Sequence, residues 1–592
     1  MEENIKMDMV NIKINGADVS APAGSTILEA ARLAGIRIPT LCFMKEINEI
    51  GACRMCVCEV KGAKALVAAC VYPINEGMEV FTNTPRVVNS RKKTMQLLLS
   101  NHNRSCLSCV RSGACELQTL SQELGIEDDG YFDGAKTPSE IDDSAVHMYR
   151  DNSKCILCRR CIAACEKTQG IACIGTNHRG FKTDIGSPFE MPLASTECIH
   201  CGQCIAVCPT GALSEKDDLG RVFEALNDPT KHVVVQTAPS VRAGLGEEFG
   251  YPIGTNVDGK MVTALRALGF EKVFNTDWGA DLTIMEEANE LLERIQGGKT
   301  LPMFTSCSPG WVKFLEFNFP DLLDHVSSCK SPAQMQGACI KSFWAEKNGY
   351  KAKDIVVVDV MPCTAKKFEV TREDQSANGV VDCDISLTTR ELARLIKMQA
   401  IDFRSLKDSE FDNPFGVGSS AGSIFGATGG VMEAALRTAV ETITGETLPK
   451  LEFEAVRGTE GIKTASYEVG GITVKVCVAS GLANARKVMQ KVRAGEMDDY
   501  QFIEIMACPG GCVNGGGQPR QPGYVRDVID LRTERAKVLY TMDNTETLRK
   551  SHDNPQIKSF YEDYLGKPGS HLAHHLLHTS YVKREINKYT SD

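Results

Sequence analysis

Short apolar runs separated by polar or glycine-rich segments recur along the chain, and their character changes from front to back. Over residues 10–40 the alternation reads as strand, Asn15-Gly16 turn, strand and then a helix (STILEAARLAGI), with Ser25 as its N-cap and an end near Gly35. Further on, continuous apolar runs such as VVVQ at 233–236 and IVVVDV at 355–360 alternate with amphipathic segments such as LTIMEEANELLERI. A strand that is apolar throughout is covered on both faces, so this part predicts a parallel α/β sheet flanked by helices. A polar stretch from Asp128 to Asp143 and a charged run, SEKDDLGR, at 214–221 read as domain boundaries.

At 592 residues the chain is long enough for about four domains of roughly 150 residues each. Sixty-six basic residues against 76 acidic give a net charge of −10, which opposes a nucleic-acid-coating surface. The first 14 residues lack a basic stretch followed by an apolar core, and no run of about 18 apolar residues follows, so neither a secretory signal nor a membrane span is expected. The 25 cysteines then point to a reduced, metal-rich protein of the cytoplasm rather than to disulfides. Seventeen precede residue 210, and eight are spread from Cys307 to Cys512.

Four groups in the front carry ligand spacing. Cys42, Cys53, Cys56 and Cys70 follow C-x10-C-x2-C-x13-C, while His102, Cys106, Cys109 and Cys115 follow H-x3-C-x2-C-x5-C. Structural zinc competes with iron–sulfur chemistry at both. Cys155, Cys158, Cys161 and Cys165, and then Cys198, Cys201, Cys204 and Cys208 followed by Pro209, are two copies of C-x2-C-x2-C-x3-C, a spacing specific for paired 4Fe-4S clusters. In such pairs the fourth cysteine crosses to the other cluster, which groups Cys208 with Cys155, Cys158 and Cys161, and Cys165 with Cys198, Cys201 and Cys204. Cys58 and Cys173 fall outside these sets and read as an ordinary thiol and as buried packing. Sites in series without a substrate motif between them describe a wire, so the chemistry belongs to the back.

There, FTSCSPGW at 304–311, MPCTAKKFE at 361–369 and EIMACPGGCVNGGGQP at 504–519 each follow a strand-like run. Residues at the carboxyl ends of parallel strands converge on one crevice. The three segments together resemble the signature segments of iron-only (FeFe) hydrogenases. The front resembles the β-grasp 2Fe-2S module and His-ligated 4Fe-4S site of the multi-cluster form of that family. The resemblance runs from residue 10 to the end and implies a multidomain α+β and α/β chain. Its parts are a plant-type 2Fe-2S ferredoxin-like domain (1–85), a 4Fe-4S domain with one histidine and three cysteine ligands (86–127), a ferredoxin domain with two 4Fe-4S clusters (145–217) and a large α/β H-cluster domain (218–592).

The resemblance also implies the cofactors: one 2Fe-2S cluster, three accessory 4Fe-4S clusters, and an H-cluster in which a 4Fe-4S cube is joined through a cysteine sulfur to a two-iron unit bearing carbonyl, cyanide and a dithiolate amine. Cys512 is the implied bridge, with Cys363 and Cys508 holding the cube. The family shows two adjacent cysteines, a proton donor and then a cube ligand, where this chain has Cys307-Ser308. Strict alignment makes Cys307 the relay, whereas the preference of iron for soft thiolate favours Cys307 as ligand after a local shift, with Ser308 as relay. The second arrangement is the expectation. Glu287 and Glu290, three apart on one helix face, join Ser327 in the implied proton path. Lys366 would face one cyanide, Ala238, Pro239 and Ser240 the other, and Met361, Met506 and Phe304 would wall the two-iron unit. The implied activity is reversible heterolysis of H2, under anaerobic conditions, with electrons passing to ferredoxin or to flavin-containing NAD(P)-reducing subunits. A pure electron-transfer subunit, resembling the front of complex I, is the rival of another class. The glycine-rich FGATGGVMEA at 425–434 lacks a P-loop lysine and predicts no nucleotide site. His571, His574, His575 and His578 sit at helical spacing, where a second metal site is a minor reading.

Overall fold

The Asn15-Gly16 turn forms as the pattern predicts. Both residues have positive φ, 53° and 88°, and they join the antiparallel strands Met9–Ile14 and Ala17–Pro22. In this computed structural model, which describes residues 8–127, 134–298, 300–377 and 379–585, those strands belong to a five-stranded sheet completed by Glu79–Phe81, Val57–Val60 and Val67–Ala68. The helix Ile27–Leu33 covers it with Ile27, Leu28, Ala30 and Ala31. Its N-cap is Thr26, not Ser25: the Thr26 hydroxyl accepts from the Glu29 N–H while the Glu29 carboxylate accepts from the Thr26 N–H. A reciprocal box needs Glu three residues after the cap, and only Thr26 satisfies that. Residues 128–133 of the expected boundary lie outside the described residues.

A buried arginine ties the front modules together. Arg160, inside the first four-cysteine run, donates to both Glu116 carboxylate oxygens at 2.8 and 3.2 Å and to the carbonyls of Cys42 and Phe43. Three cysteine groups are thereby held by one planar guanidinium.

The back contains two four-stranded sheets where the pattern suggested one. The first, Lys272–Asn275, His232–Thr237, Ile355–Met361 and Ile385–Thr388, is parallel throughout. The second runs Met303–Phe304, Phe502–Met506, Ile472–Ser480 and Ile462–Val469, and its last pair is an antiparallel hairpin. Between them lies the 22-residue helix Thr276–Gly297. Trp278 and Leu282 pack with Val234, Phe274 and Val357 of the first sheet, while Ala280, Ile284 and Leu291 pack with Met303, Val476 and Phe502 of the second. A helix apolar on two faces is buried, which overrides the one-sided amphipathic reading of LTIMEEANELLERI. Among the described residues no helix is long and apolar enough to cross a membrane.

Behind the second sheet, Arg437 on the helix Gly430–Thr444 donates to Glu433 (2.7 Å) and to both oxygens of Asp543 (2.8 Å each), all fully buried. Arg457 and Arg549 bind the same carboxylates. Removing one partner of a buried charge pair costs about 3–5 kcal/mol, so Arg437→Met is expected to lower the stability of this domain by that amount near neutrality, read from its denaturant midpoint. The arginines hold Asp543 well below the usual carboxylate range. Its contribution is therefore present above the unfolded value of about 3.9 and is lost as pH falls through the lower folded value, so the gap between parent and variant should narrow on acidification.

Candidate functional site

Four strands of the two sheets end at one cavity whose atom-free space, with its open mouth included, is about 850 Å³. His232–Thr237 delivers Ala238, Pro239 and Ser240, and Ile355–Met361 delivers Met361, Cys363 and Lys366. Met303–Phe304 leads to Cys307 and Ser308, and Phe502–Met506 to Met506, Cys508 and Cys512. The Cys508–Cys512 loop turns through Gly510 and Gly511 at φ +80° and +96°. A Cβ on Gly511 would stand 2.6 Å from the Thr428 nitrogen, so no other residue fits there.

The donor set fits a metal cluster. Cys363, Cys508 and Cys512 lie near one another in a largely apolar pocket, where burial raises every thiol, Cys512 to about 12. The remaining wall is apolar, and the Ser240 hydroxyl, fully buried, has no protein partner. Lys366 Nζ is held by Ser331 Oγ at 2.7 Å and Glu369 Oε2 at 2.6 Å. Phe304 is not part of this wall. Its ring is fully buried in the core below, stacked on His325 with centroids 4.9 Å apart.

The two residues of the Cys307-Ser308 pair have different surroundings. Ser308 occupies the N-cap position of the helix Pro309–Asn318 without capping it, and its Oγ instead accepts from the Ala507 N–H at 3.3 Å, next to Cys508. Cys307 is raised by burial first and then by the charges of Glu287, Cys512 and Glu504. Glu287 is 2% exposed, and its Oε1 has no hydrogen-bond partner. Burial, then the neighbouring charge of Glu290, pushes its carboxyl up to about 8. Ser327 Oγ donates to Glu290 Oε2 at 2.9 Å, and Arg294 holds Oε1 of Glu290 at 2.7 Å. The structure thus brings Cys307, Glu287, Ser327 and Glu290 into one succession running outward from the cavity.

The front sites show the same fit. His102, Cys106, Cys109 and Cys115 line one cavity, and burial lowers His102 to about 4, leaving a neutral imidazole whose Nδ1 has no partner. Cys42 Sγ lies 3.4 Å from the Cys53 nitrogen, and the Cys56 and Cys70 sulfurs are 3.4 Å apart. The electrostatic neighbours of Cys155, Cys158 and Cys161 include Cys208, and those of Cys204 include Cys198, Cys165 and Cys208. Cys201 lines the same cavity as Cys508. Cys173 is buried as expected, but its sulfur lies 3.6 Å from that of Cys165. Cys58 is buried, and its thiol is pushed up to about 12.

Other residues of the site escaped the sequence reading. Glu504 is fully buried and accepts from the N–H groups of Gly429 (2.6 Å) and Met432 (2.8 Å), so a carboxylate fills the glycine-rich helix start at 425–434. A lone charge within the strand FIEIM was its signal. Lys313, lowered to about 8 by burial, has its Nζ 3.1 Å from His200 Nε2, and His147 Nε2 lies 3.9 Å from the Cys198 sulfur. Nothing in the sequence spacing pairs those histidines. Of the C-terminal histidines, His571, His574 and His575 are exposed on the helix His571–Leu577, and only His578 turns inward.

Comparison with known proteins agrees with this geometry. The family described as "Iron only hydrogenase large subunit, C-terminal domain" matches residues 231–516, and "Iron hydrogenase small subunit" matches 529–584. Ahead of them, a 2Fe-2S iron-sulfur cluster binding domain matches 7–85, an NADH-ubiquinone oxidoreductase-G iron-sulfur binding region 91–129 and a 4Fe-4S dicluster domain 154–212. The NADP-reducing hydrogenase subunit HndD of Solidesulfovibrio fructosivorans is 50% identical, covering 98% of this chain and 100% of its own. Iron hydrogenase 1 of Clostridium pasteurianum is 43% identical over 97% of this chain and 100% of its own. Among solved structures, an FeFe hydrogenase from Chlamydomonas reinhardtii superposes with a TM-score of 0.55 at 44% identity, covering 61% of this chain and 98% of that one. With matches that span both the cluster-binding front and the cavity-bearing back, the chain belongs to the iron-only hydrogenases, enzymes of reversible H2 chemistry, and carries 2Fe-2S and 4Fe-4S relay domains ahead of an H-cluster domain.

Proposed function

We propose that this chain is the hydrogen-activating subunit of a cytoplasmic, anaerobic NADP-reducing assembly, with ferredoxin as an alternative electron partner. The full-length similarity to a protein named as an NADP-reducing hydrogenase subunit supports this over a ferredoxin-linked enzyme acting alone. Four modules would divide the work, at 1–85, 86–127, 145–217 and 218–592. When bound, the H-cluster supplies the metal centre and adjacent amine at which H2 is split or formed.

Cys363, Cys508 and Cys512 would hold the cube, Cys512 bridging to the two-iron unit. The observation that carries the assignment is that Ser308 joins Cys508 through the Ala507 N–H, while Glu287 is the charge that acts most strongly on Cys307. This favours the strict alignment over the local shift: Ser308 stands in the fourth ligand position, and the Cys307 thiol hands protons to Glu287, Ser327 and Glu290. Electrons would leave past Cys201 into the two ferredoxin-type clusters. Asn48 Nδ2 donates to the carbonyls of Cys42 (2.8 Å) and Cys158 (3.0 Å), and Cys115 Sγ lies 3.7 Å from Pro209 O, so both outer sites adjoin the cluster of Cys155, Cys158, Cys161 and Cys208. The wire would branch there.

Anaerobic infrared spectra and iron content of matured variants test the ligand assignment. Cys307→Ser should keep the metal-bound carbonyl and cyanide stretches and full iron while turnover falls by about 10²–10⁴, the range of a lost proton-transfer group. Ser308→Ala should keep the relay but alter the spin signal of the cube. The reverse pattern, cube iron lost in Cys307→Ser and an unaltered cube in Ser308→Ala, would restore Cys307 as ligand. The Glu287 carboxyl should remain protonated at neutral pH and lose its infrared C=O band near pH 8, a change missing in Glu287→Gln. Because the folded chain keeps a proton that the unfolded chain releases near about 4.3, stability from this group declines as pH rises from there to about 8, and Glu287→Gln should flatten that decline.

A further inference from the structure

The outer end of the proton path meets a side chain from a distant part of the sequence. His578 follows the helix His571–Leu577, within the segment that matches the small-subunit family. Its Nδ1 lies 2.8 Å from Ser328 Oγ, and its Nε2 lies 3.2 Å from Glu286 Oε2. Ser328 Oγ in turn donates to Glu290 Oε2 at 3.2 Å, the same oxygen that accepts from Ser327 at 2.9 Å. One carboxylate oxygen is therefore shared by an inner hydroxyl that faces Glu287 and an outer hydroxyl that faces an imidazole.

Backbone bonds fix this arrangement. The Lys330 N–H donates to Leu577 O at 2.8 Å, the Thr579 N–H to Ser328 O at 2.7 Å, and the Tyr581 hydroxyl to Ser327 O at 2.8 Å. The C-terminal segment thus grips both serines of the path. The side chain of His578 is 7% exposed, and its ring stacks on exposed His574 with centroids 4.1 Å apart.

We propose that His578 is a second arm of the proton path, exchanging protons between Glu290 and the solvent side through the Ser328 hydroxyl; the inference rests on the Glu287–Ser327–Glu290 reading above. For an inward proton, Nδ1–H passes its proton to Ser328 Oγ as the Ser328 proton moves to Glu290 Oε2, and Nε2 takes up a replacement from water, directly or by way of the Glu286 carboxylate, which ends as it began. No electrons move, and the imidazole ends neutral in its other tautomer. Histidine suits the task because its two ring nitrogens can release and take up a proton on opposite sides of the ring. The groups that face it are Glu286, whose other oxygen is bound by the Tyr561 hydroxyl, Glu290 with its partner Arg294, Cys329 and His574. The Glu290, Cys329 and His578 donor atoms lie within 4.8 Å of one another and would also suit a soft divalent cation, but both imidazole nitrogens are already engaged.

Matured full-length His578→Asn, Ser328→Ala and the double variant, with Glu290→Gln alongside, test the arm. His578→Asn and Ser328→Ala should each lower H2 evolution on the order of tenfold, most strongly on the alkaline side, with the half-saturating electron-donor concentration unchanged. The double variant should be no worse than either, and free imidazole should restore His578→Asn. Independently of turnover, the pH at which the carboxyl infrared bands titrate should shift in His578→Asn. A pH profile that superimposes on that of the parent, or a pH-independent loss that imidazole does not relieve, overturns the arm while leaving the Glu290 path standing. Full activity of Glu290→Gln instead removes the path reading itself.

Discussion

Backbone against backbone, with no side chain between, is the contact on which this molecule depends. A Cβ on Gly515 would lie 2.0 Å from Pro362 O, and one on Gly516 would lie 2.1 Å from Cys201 O. The same Cβ on Gly516 would stand 2.7 Å from the Gly202 Cα. These glycines let the loop after Cys512, the strand end before Cys363 and the second ferredoxin-type run touch directly. Any side chain there would push the Cys201 site away from the catalytic cavity, and electron exchange between clusters depends steeply on such separations. The glycine run VNGGGQP therefore serves the wire as much as the H-cluster.

That contact occupies one side of the cavity, and the proposed proton path uses another. The central helix Thr276–Gly297 supplies it, because two sheets bury its flanks and keep Glu287 away from water. Burial has a chemical result: a carboxyl that holds its proton until about pH 8 can both give and accept one near neutrality. An ordinary exposed glutamate would be fully ionised and a poor donor. Glu504 adds a buried carboxylate on the same side of Cys307, its acceptor oxygens satisfied by the helix start at Gly429 and Met432. The electron side is lined by sulfur and backbone, the proton side by carboxyls and hydroxyls.

Much of this was legible in the sequence because cluster ligands obey spacing. The paired C-x2-C-x2-C-x3-C runs and the Asn15-Gly16 turn are local rules, and local rules survive folding. The division into two sheets was not legible, since Met303–Phe304 is too short to read as a strand and its neighbour Phe502–Met506 lies about 200 residues away in the chain. Phe304 was misplaced for a related reason. Its strand puts the ring under the cavity floor against His325 and Trp311, a matter of which face a two-residue strand presents. His578 lay beyond any spacing rule, as its partners Ser328 and Glu286 are about 250 and 290 residues upstream.

The Cys307-Ser308 pair shows how geometry and ligand chemistry compete. Thiolate is the better iron ligand, and on that ground the single sulfur of the pair would be drawn to the cube. Moving Cys307 there would require turning the chain just before the Pro309–Asn318 helix, whose Trp311 indole is fixed to Thr305 O at 3.0 Å and whose Gly310 packs against Ala507. The turn would also strip Glu287 of its thiol neighbour and leave a serine hydroxyl, a far weaker acid, as the donor. In the proposed arrangement a hydroxyl in the ligand position weakens one bond among four, while a hydroxyl in the relay position would interrupt the proposed succession from Cys307 through Glu287 to Glu290. The packed helix start and the needs of proton transfer thus act in the same direction, and both support the proposed placement of the sulfur toward Glu287.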